Sequence, residues 1–383
     1  PFEGARVFFV NAGGALTLHW VIKSSSEYAG YPDNHAGRVN PAGAALRAAI
    51  DQGKADARLL FNAPEGQIFV GESGTEVLFR LVRTAALGAR KGGTMLGSTL
   101  EHPASRSAMA RWAEVTERPH LLAVHDDITG TVGLDAYLPH ITPDVRVATI
   151  VQTSPVTGIS VDVGAITAAI RRRAPECLII IDGIQHASHG SIDIDSYDAD
   201  GYAVSPYKVF SRHGYGIGWA SDRLSSFTKE TVIGGAATSW DQGTRDAGSY
   251  ATFSDVVDYF RWLGKHFTDS NDKRAQILAA AAAIHAQEQA LMSSIMHGTG
   301  NQRGLADIPG VRVIAGVDNP HREGVISLTL DTMDPGDLVA FLNDQGVRTH
   351  IRNDDHYCGN ILVPLGLKSC IRVSVSHYNS QAE

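Results

Sequence analysis

Two short apolar runs in the middle of the chain each lead to a side chain capable of chemistry. Residues 177–181 end at Asp182, and residues 201–204 are followed closely by Lys208. Both runs are bounded by polar residues, which predicts two buried strands. If the strands are neighbours in a sheet, their acid and lysine meet at one edge. Pyridoxal phosphate chemistry requires this pair, because the acid keeps the pyridine nitrogen protonated and the lysine forms a Schiff base.

Other predicted strands also end in polar or small residues. Residues 67–70 run into a turn with Gly74 and Thr75, and residues 92–97 are followed by His102. A turn that opens a helix offers free N–H groups to a phosphate, although an ordinary helix cap by Ser73 or Thr75 explains it equally well. Strands alternate with helical patterns from residue 67 to 208, which predicts an α/β domain with a mostly parallel sheet. Ligands bind such sheets at the carboxyl ends of the strands.

The pattern changes in the last quarter of the chain. Residues 311–314, 324–330, 347–350 and 371–375 alternate as half-buried strands, with a helix predicted over residues 335–343. We therefore predict a large α/β domain over residues 1–270, which includes an N-terminal segment of residues 1–60. A connecting helix and a small α+β domain follow over residues 271–383.

Composition narrows the choice of partner and compartment. The 383 residues carry a net charge of −8, which disfavours a nucleic-acid partner. The chain has 3 cysteines, too few for a disulfide framework, so a reducing compartment is expected. No uninterrupted apolar run approaches about 18 residues and no signal-like start is seen, so we expect a cytoplasmic protein without a membrane partner.

The central motif resembles a known family. The sequences Asp-Gly-Ile-Gln at 182–185 and Ser-Pro-Tyr-Lys at 205–208 are similar to those of the class V aminotransferase family of fold-type I pyridoxal phosphate enzymes. The cysteine desulfurase and selenocysteine lyase branch is the most similar, and the resemblance extends from Asn11 to the last strand. It implies a mostly parallel, seven-stranded type of sheet with helices on both faces, a small α+β C-terminal domain, and a homodimer with a shared active site.

The resemblance also implies a role for each matching residue. Lys208 would form the Schiff base and move protons, Asp182 would bind the pyridine nitrogen, and Gln185 would bind the ring 3′-oxygen. His102 would stack on the ring and assist proton transfer. The residues implied at the phosphate are Gly74, Thr75, Ser205, Tyr207 and, reaching a neighbouring subunit, Thr244. Arg372 would bind the substrate carboxylate, with Asn11 nearby.

The chain departs from the family pattern at three points. Tyr207 stands where a histidine is usual, and Pro155 stands where an asparagine is frequent. Cys358 lies near the position of the desulfurase nucleophile, but the preceding loop is longer and contains Asp354 and Asp355. Nearby acids raise a thiol pKa, so Cys358 is either a persulfide-forming nucleophile or an ordinary loop cysteine.

Several functions remain open at this level. We predict an enzyme that acts on a small amino acid with cysteine desulfurase-like or C–S lyase chemistry. An aminotransferase or epimerase of the same family is the main alternative. A metal-dependent hydrolase using His186 and His189 is a distant one, since no third ligand is evident and no metal site is predicted. A non-catalytic regulator that binds the cofactor is the last alternative.

Overall fold

The computed structural model describes residues 6–31, 40–227 and 230–383. Its strands are β1 (Val7–Phe8), β2 (Gln67–Gly71), β3 (Thr94–Ser98), β4 (His120–Ala123), β5 (Val145–Val151), β6 (Leu178–Asp182), β7 (Gly201–Val204), β8 (Gly216–Ala220), β9 (Gly298–Thr299), β10 (Gln302–Arg303), β11 (Val311–Val313), β12 (Val325–Leu330), β13 (Val347–Arg348), β14 (His350–Asn353) and β15 (Ser369–Ser374). Its helices are α1 (His19–Ala29), α2 (Pro41–Phe61), α3 (Gly74–Gly88), α4 (Pro103–Val115), α5 (Leu134–Tyr137), α6 (Val163–Arg173), α7 (Ile194–Tyr197), α8 (Asp222–Ser225), α9 (Ala247–Gly264), α10 (Lys273–His297), α11 (Pro335–Asp344) and α12 (Gly359–Leu362).

A seven-stranded sheet forms the centre of the molecule, in the order β2-β8-β7-β6-β5-β3-β4. Its strands are parallel except β8, which runs antiparallel to both of its neighbours, β2 and β7. The predicted α/β class with a mostly parallel sheet is therefore confirmed. Strands β6 and β7 are direct neighbours, with Asp182 opposite Ala203. Their carboxyl ends therefore bring Asp182 and the segment leading to Lys208 to the same edge.

Helices cover both faces of this sheet, which explains why its strands read as continuous apolar runs. In β6, Ile179 and Ile181 pack into the core on one face, while Leu178 and Ile180 pack into the core on the other. Helices α3 and α4 pack against each other on the second face, and α9 packs against α1, α2 and α10. A strand buried on both sides cannot slip in register without exposing apolar side chains, so its polar end is held in place.

The C-terminal part forms a second, four-stranded antiparallel sheet in the order β11-β12-β15-β14. Helix α11 packs on β14 and β15, and α10 connects this part to the central sheet. The predicted small α+β unit is therefore present. The first described residues also reach it, because β1 pairs with β13. None of the described helices is long and apolar enough to span a membrane.

Candidate active site

A pocket opens at the carboxyl ends of the parallel strands. Eleven residues line it: Thr75, His102, Val151, Thr153, Pro155, Asp182, Ile184, Gln185, Ser205, Tyr207 and Lys208. The chain segments that contribute them lie as much as 133 positions apart, and the sheet brings them together because each follows a strand end or begins the next helix. Seven of these residues belong to the set that the sequence motif implies. Their roles toward a cofactor stay predictions, which the local geometry can support.

Lys208 lies at the end of a short 3-10 helix, Pro206–Lys208, that directly follows β7 and Ser205. It is 9% exposed, and its Nζ donates to Gln185 Oε1 at 3.3 Å. The pKa of Lys208 is lowered to about 8, mainly by burial and also by the positive charge of Arg372, while Asp182 opposes the shift. A substantial fraction of the amine is therefore neutral near physiological pH, as a lysine nucleophile requires.

Asp182 is the last residue of β6 and is a buried residue of the pocket lining. Its Oδ1 accepts from the Ile184 backbone N–H at 3.1 Å, and its Oδ2 accepts from Ser105 Oγ at 3.3 Å. Burial raises the pKa of Asp182, although the Ile184 bond and the Lys208 charge oppose this. Both donors found in the described residues are neutral, so a protonated pyridine nitrogen would supply the cation that this buried acid lacks.

The first turn of α3 forms one side of the pocket. Ser73 caps the helix by accepting from the Glu76 N–H at 3.1 Å, and Gly74 and Thr75 are its first two residues. Backbone N–H groups at this end and the helix dipole favour an anion. A side chain on Gly74 would place Cβ only 2.2 Å from Ser205 Oγ. The turn and the β7 end thus form a narrow cradle that fits a phosphate group.

Two aromatic residues complete the pocket wall. His102 caps α4, and its Nδ1 accepts from the Ala104 N–H at 3.1 Å. Burial lowers the pKa of His102 to about 3, with a further contribution from Lys208, so the ring is neutral and carries its proton on Nε2. Tyr207 stacks on His213, with ring centroids 4.4 Å apart. The residues of this pocket therefore fit pyridoxal phosphate, with acid, lysine, aromatic face and anion cradle in one cavity.

Arg372 and Asn11, predicted near the substrate carboxylate, occupy different environments. Arg372 on β15 is buried, and its Nη1 donates to the Pro155 carbonyl at 2.8 Å. Its Nε has no hydrogen-bond partner among the described residues, which leaves donor capacity for an anion. The Asn11 amide instead donates to the Ser374 carbonyl at 2.9 Å and accepts from the Tyr378 hydroxyl. Asn11 therefore ties the N-terminal segment to the last strand, and it does not line the pocket.

Cys358 lies just outside the lining residues and is 1% exposed. Arg352 donates to its Sγ from Nε at 3.0 Å and from Nη2 at 2.6 Å. Burial raises the pKa of the Cys358 thiol, and Arg352 opposes this shift. Asp355 makes the smallest of these contributions to the pKa of Cys358. The pKa is therefore raised mainly by burial, and not by the neighbouring acids as the sequence suggested. The loop is anchored by Asn360, whose Nδ2 donates to the Thr99 carbonyl at 2.7 Å.

Thr244 does not join the pocket of its own chain. It is exposed on the loop before α9, next to Arg245, which pairs with Glu72 at the start of the α3 turn. Its predicted contact is with the phosphate of a neighbouring subunit, and it stays a prediction.

The two histidines of the hydrolase alternative are both buried and each faces a glutamate. His186 Nδ1 lies 2.6 Å from Glu323 Oε1, and His189 Nδ1 lies 2.8 Å from Glu288 Oε2. Within the described ranges, no group of three or more histidine, cysteine, aspartate or glutamate side chains is arranged to hold a metal ion. Each of the two histidines is thus bound to a buried carboxylate, which accounts for both without a metal ion.

The sequence did not identify three residues that contribute to the site. Ser105 bonds Asp182, Thr153 lines the pocket, and Arg352 contacts Cys358. Ser105 had one available signal, because it lies three positions after His102 and so on the same face of α4. Arg352 lies on β14, and its contact with Cys358 arises because the loop after that strand folds back on it, which no local pattern indicates.

A mostly parallel sheet with a buried lysine and a buried aspartate at its carboxyl edge defines a fold-type I pyridoxal phosphate enzyme. Comparison with known proteins agrees, since the family model for aminotransferase class-V matches residues 7–383. The chain belongs to this family, and its cofactor is pyridoxal 5′-phosphate.

The relatives and solved structures point to one branch. A cysteine desulfurase of Synechococcus elongatus is 24% identical over 98% of this chain, which spans 58% of that protein's length. A probable cysteine desulfurase of Xylella fastidiosa strain 9a5c is 25% identical, with 98% of this chain and 88% of that protein covered. The apo cysteine desulfurase structure from Thermococcus onnurineus NA1 has a TM-score of 0.83 at 17% identity, covering 98% of this chain and 91% of that one. An Escherichia coli cysteine desulfurase structure has a TM-score of 0.79 at 20% identity, with the same two coverages.

Proposed function

We propose that this enzyme cleaves the Cβ–sulfur bond of cysteine or a closely similar small amino acid. The observation that carries the proposal is the single pocket in which the buried Lys208 amine, the buried Asp182 carboxyl group and the first turn of α3 meet. The four similar proteins described above are named as cysteine desulfurases or probable cysteine desulfurases, which supports the choice of bond.

The cofactor, when bound, supplies an electron-accepting ring that stabilises negative charge at the substrate Cα. Asp182 would bind the pyridine nitrogen and keep it protonated. Gln185 would bind the ring oxygen, and the neutral ring of His102 would lie against the cofactor face. The phosphate would be bound by residues of the α3 turn and the β7 end, namely Gly74, Thr75, Ser205 and Tyr207.

Lys208 and Arg372 would divide the handling of the substrate. Arg372 would bind the α-carboxylate through its unused donors, and a planar guanidinium suits that bidentate task. This orientation would direct the Cα–H bond toward Lys208, whose pKa of about 8 lets its neutral amine accept the proton. Burial of both groups excludes water from the proton transfer.

Two routes lead from that point to loss of sulfur. In the desulfurase route, the Cys358 thiolate attacks the substrate sulfur, a sulfur–sulfur bond forms, and the Cβ–sulfur bond breaks. The electron pair goes to Cβ, which takes a proton and leaves alanine. In the elimination route, sulfide leaves directly, and hydrolysis of the remainder gives pyruvate and ammonia. The burial of Cys358 favours the second route, since elimination requires no cysteine, whereas the Arg352 contact favours the thiolate that the first route needs.

We infer that the enzyme works as a cytoplasmic homodimer. The support is the exposed position of Thr244 beside Arg245, which reaches Glu72 at the start of the α3 turn. Thr244 is therefore exposed to solvent near the α3 turn of its own subunit. A second copy placed symmetrically would bring its Thr244 toward that turn.

The test is a product analysis of the purified enzyme with a panel of amino acids and a thiol reductant. Sulfide with alanine indicates the desulfurase route, and sulfide with pyruvate indicates elimination. A keto acid without sulfide indicates an aminotransferase, and an inverted amino acid indicates an epimerase. Either of the last two results, without sulfide release from cysteine, would refute the proposal.

Two substitutions sharpen this test. Lys208→Ala should abolish turnover of every amino acid in the panel. Cys358→Ala should abolish sulfide release if Cys358 is the nucleophile, and should leave it if elimination operates. Cys370→Ala, which removes another buried thiol from the adjacent strand β15, controls for the loss of packing.

A further inference from the structure

A row of buried hydrogen bonds leads from the Lys208 amine to a carboxyl group behind the pocket. Lys208 Nζ donates to Gln185 Oε1 at 3.3 Å, and Gln185 Nε2 lies 3.1 Å from His189 Nε2. His189 Nδ1 in turn lies 2.8 Å from Glu288 Oε2. Gln185, His189 and Glu288 are 3%, 2% and 1% exposed, so water does not compete for these bonds.

The Gln185 amide lies between the Lys208 amine and the His189 ring, and each of these can require either its oxygen or its nitrogen. Its oxygen only accepts hydrogen bonds, and its nitrogen only donates them. When His189 is neutral with its proton on Nδ1 toward Glu288, its Nε2 accepts, so the amide nitrogen faces His189 and the oxygen faces Lys208. When both ring nitrogens are protonated, Nε2 donates, so the amide oxygen must face His189 and the amide nitrogen faces the pocket.

We propose that His189, held by Glu288, is a positioning residue whose protonation selects which end of the Gln185 amide faces the cofactor. With a free lysine ammonium, the amide oxygen faces Lys208, as the structure has it. The ring oxygen of the cofactor needs a donor, so the amide turns over and His189 takes up a proton. This inference rests on the proposed position of the cofactor in the pocket, and it is independent of the reaction that follows.

The electrostatic environment of His189 supports a coupled proton. Burial is the largest influence and lowers the pKa of His189, but Glu288, together with Glu323, raises it, and the net shift is upward. The Lys208 charge acts in the opposite direction, so an ammonium at Lys208 disfavours an imidazolium at His189. The titratable groups that face His189 are Glu288 on α10, Glu323 before β12, His186 on its own segment, Lys208 after β7 and His377 after β15.

Glu288→Gln tests this role, because it keeps the size of the side chain but removes the charge that stabilises the imidazolium. The readout is the pH at which the visible absorption band of the bound cofactor changes. In the variant, Gln185 keeps its oxygen toward the pocket, so the ring oxygen loses a donor and becomes more basic. We expect the midpoint to rise by about one pH unit, the size expected for losing one hydrogen bond to a charged oxygen.

The second buried pair provides a matched control. Glu323→Gln removes a carboxylate that is buried to a similar extent beside His186, whose other ring nitrogen contacts the Ser191 carbonyl and not Gln185. Glu323 also raises the pKa of His189, but less than Glu288 does, so this variant should shift the midpoint by less than Glu288→Gln. Equal shifts in both variants would show a general effect of lost charge and would overturn the inference, as would an unchanged midpoint in Glu288→Gln.

A measurement on the wild type keeps the inference testable if Glu288→Gln does not fold. Calorimetric titration of the apo-protein with pyridoxal 5′-phosphate, in buffers of different ionisation enthalpy, gives the number of protons taken up on binding. Histidine-selective nitrogen NMR, recorded at the same pH before and after the cofactor is added, should show a larger cationic fraction of His189 with the cofactor bound. If the cofactor binds but the His189 signal does not change, the inference about His189 is overturned, and the proposed position of the cofactor is not. Failure of the cofactor to bind, or to give a visible band, would overturn its position in the pocket as well.

Discussion

Gly74 lies where the α3 turn meets the end of β7, and an alanine there would collide with both sides of the pocket. Its Cβ would lie 2.2 Å from Ser205 Oγ and 2.6 Å from Ile184 Cδ1. Ordinary contacts between non-bonded atoms are about 3.5–4.0 Å. Both contacts are with side chains, so Ser205 and Ile184 must shift or rotate by roughly 1 Å. The movement would separate two groups that are both proposed to bind the phosphate.

The expected cost follows from the size of this overlap. An extra methyl group in a close-packed site costs about 1–3 kcal/mol. We expect most of it to appear as weaker cofactor binding, because the displaced atoms belong to Gly74 and Ser205 at the pocket. A loss of about 2 kcal/mol corresponds to a dissociation constant raised by roughly 30-fold.

The assay is absorbance titration of the apo-protein with pyridoxal 5′-phosphate. Gly133→Ala is the control, because a Cβ at Gly133 meets nothing within 4 Å and its φ of −116° suits any residue. Ser205→Ala removes the closest clashing atom, so Gly74→Ala should cost less in that background. The reasoning is refuted if Gly74→Ala binds the cofactor as tightly as Gly133→Ala. It is also refuted if the two substitutions are additive within about 0.5 kcal/mol.

Three further predictions concern charge. The pKa of Lys208 is lowered to about 8, and only the neutral amine can react with the cofactor. The rate at which the apo-protein binds the cofactor covalently should therefore rise about tenfold per pH unit below pH 8 and level off above it. A rate that does not change with pH would contradict this. Asp200→Ala should lower the free energy of unfolding by about 3–5 kcal/mol in denaturant titration, because Arg171 and Arg223 lose a buried carboxylate. Asp144→Ala, which removes an exposed partner of Arg146, should cost about 1 kcal/mol or less and serves as its control. Arg372→Lys should raise KM for the amino acid by about 10- to 100-fold without changing the affinity for the cofactor, because an ammonium group cannot replace the bidentate guanidinium. An unchanged KM would argue against binding of the substrate carboxylate by Arg372.

The parts of the site that follow buried strands could be predicted from the sequence. The apolar runs before Asp182 and before Lys208 have no other stable position than the inside of a two-faced sheet. Their polar ends then fall at one edge, and His102 and Thr75 follow by the same reasoning. These positions depend only on the order of elements along the chain, which the sequence displays.

The position of β8 could not be predicted in this way. Its glycine-rich sequence is compatible with a strand, but nothing in it indicates that the strand inserts antiparallel between β2 and β7. The structure shows why the glycines are needed. A Cβ on Gly216 would lie 2.3 Å from the Ser73 carbonyl carbon, and one on Gly218 would lie 2.4 Å from Phe69 Cζ. Only the assembled sheet reveals this close approach.

Contacts between side chains far apart in the chain were also beyond the reach of the sequence. Glu288 is 99 positions from His189, and Glu323 is 137 positions from His186. The environment of Cys358 shows the same limit at short range. Asp354 and Asp355 are its neighbours in sequence, yet Arg352 is the charged group that contacts its sulfur. Adjacency in sequence says little about a loop that folds back on itself.

The two routes for sulfur differ in how much of the protein must move. Lys208 and Asp182 follow strands of the central sheet, so proton transfer at Cα needs little change in the backbone. The buried Cys358 sulfur accepts hydrogen bonds from Arg352, and Asn360 in the same loop donates to the Thr99 carbonyl. In a persulfide route the buried Cys358 sulfur would have to become accessible to the substrate and then to a sulfur acceptor, so this loop would have to open. Elimination would need no such opening, so we expect the anchoring of this loop to favour elimination over the persulfide route.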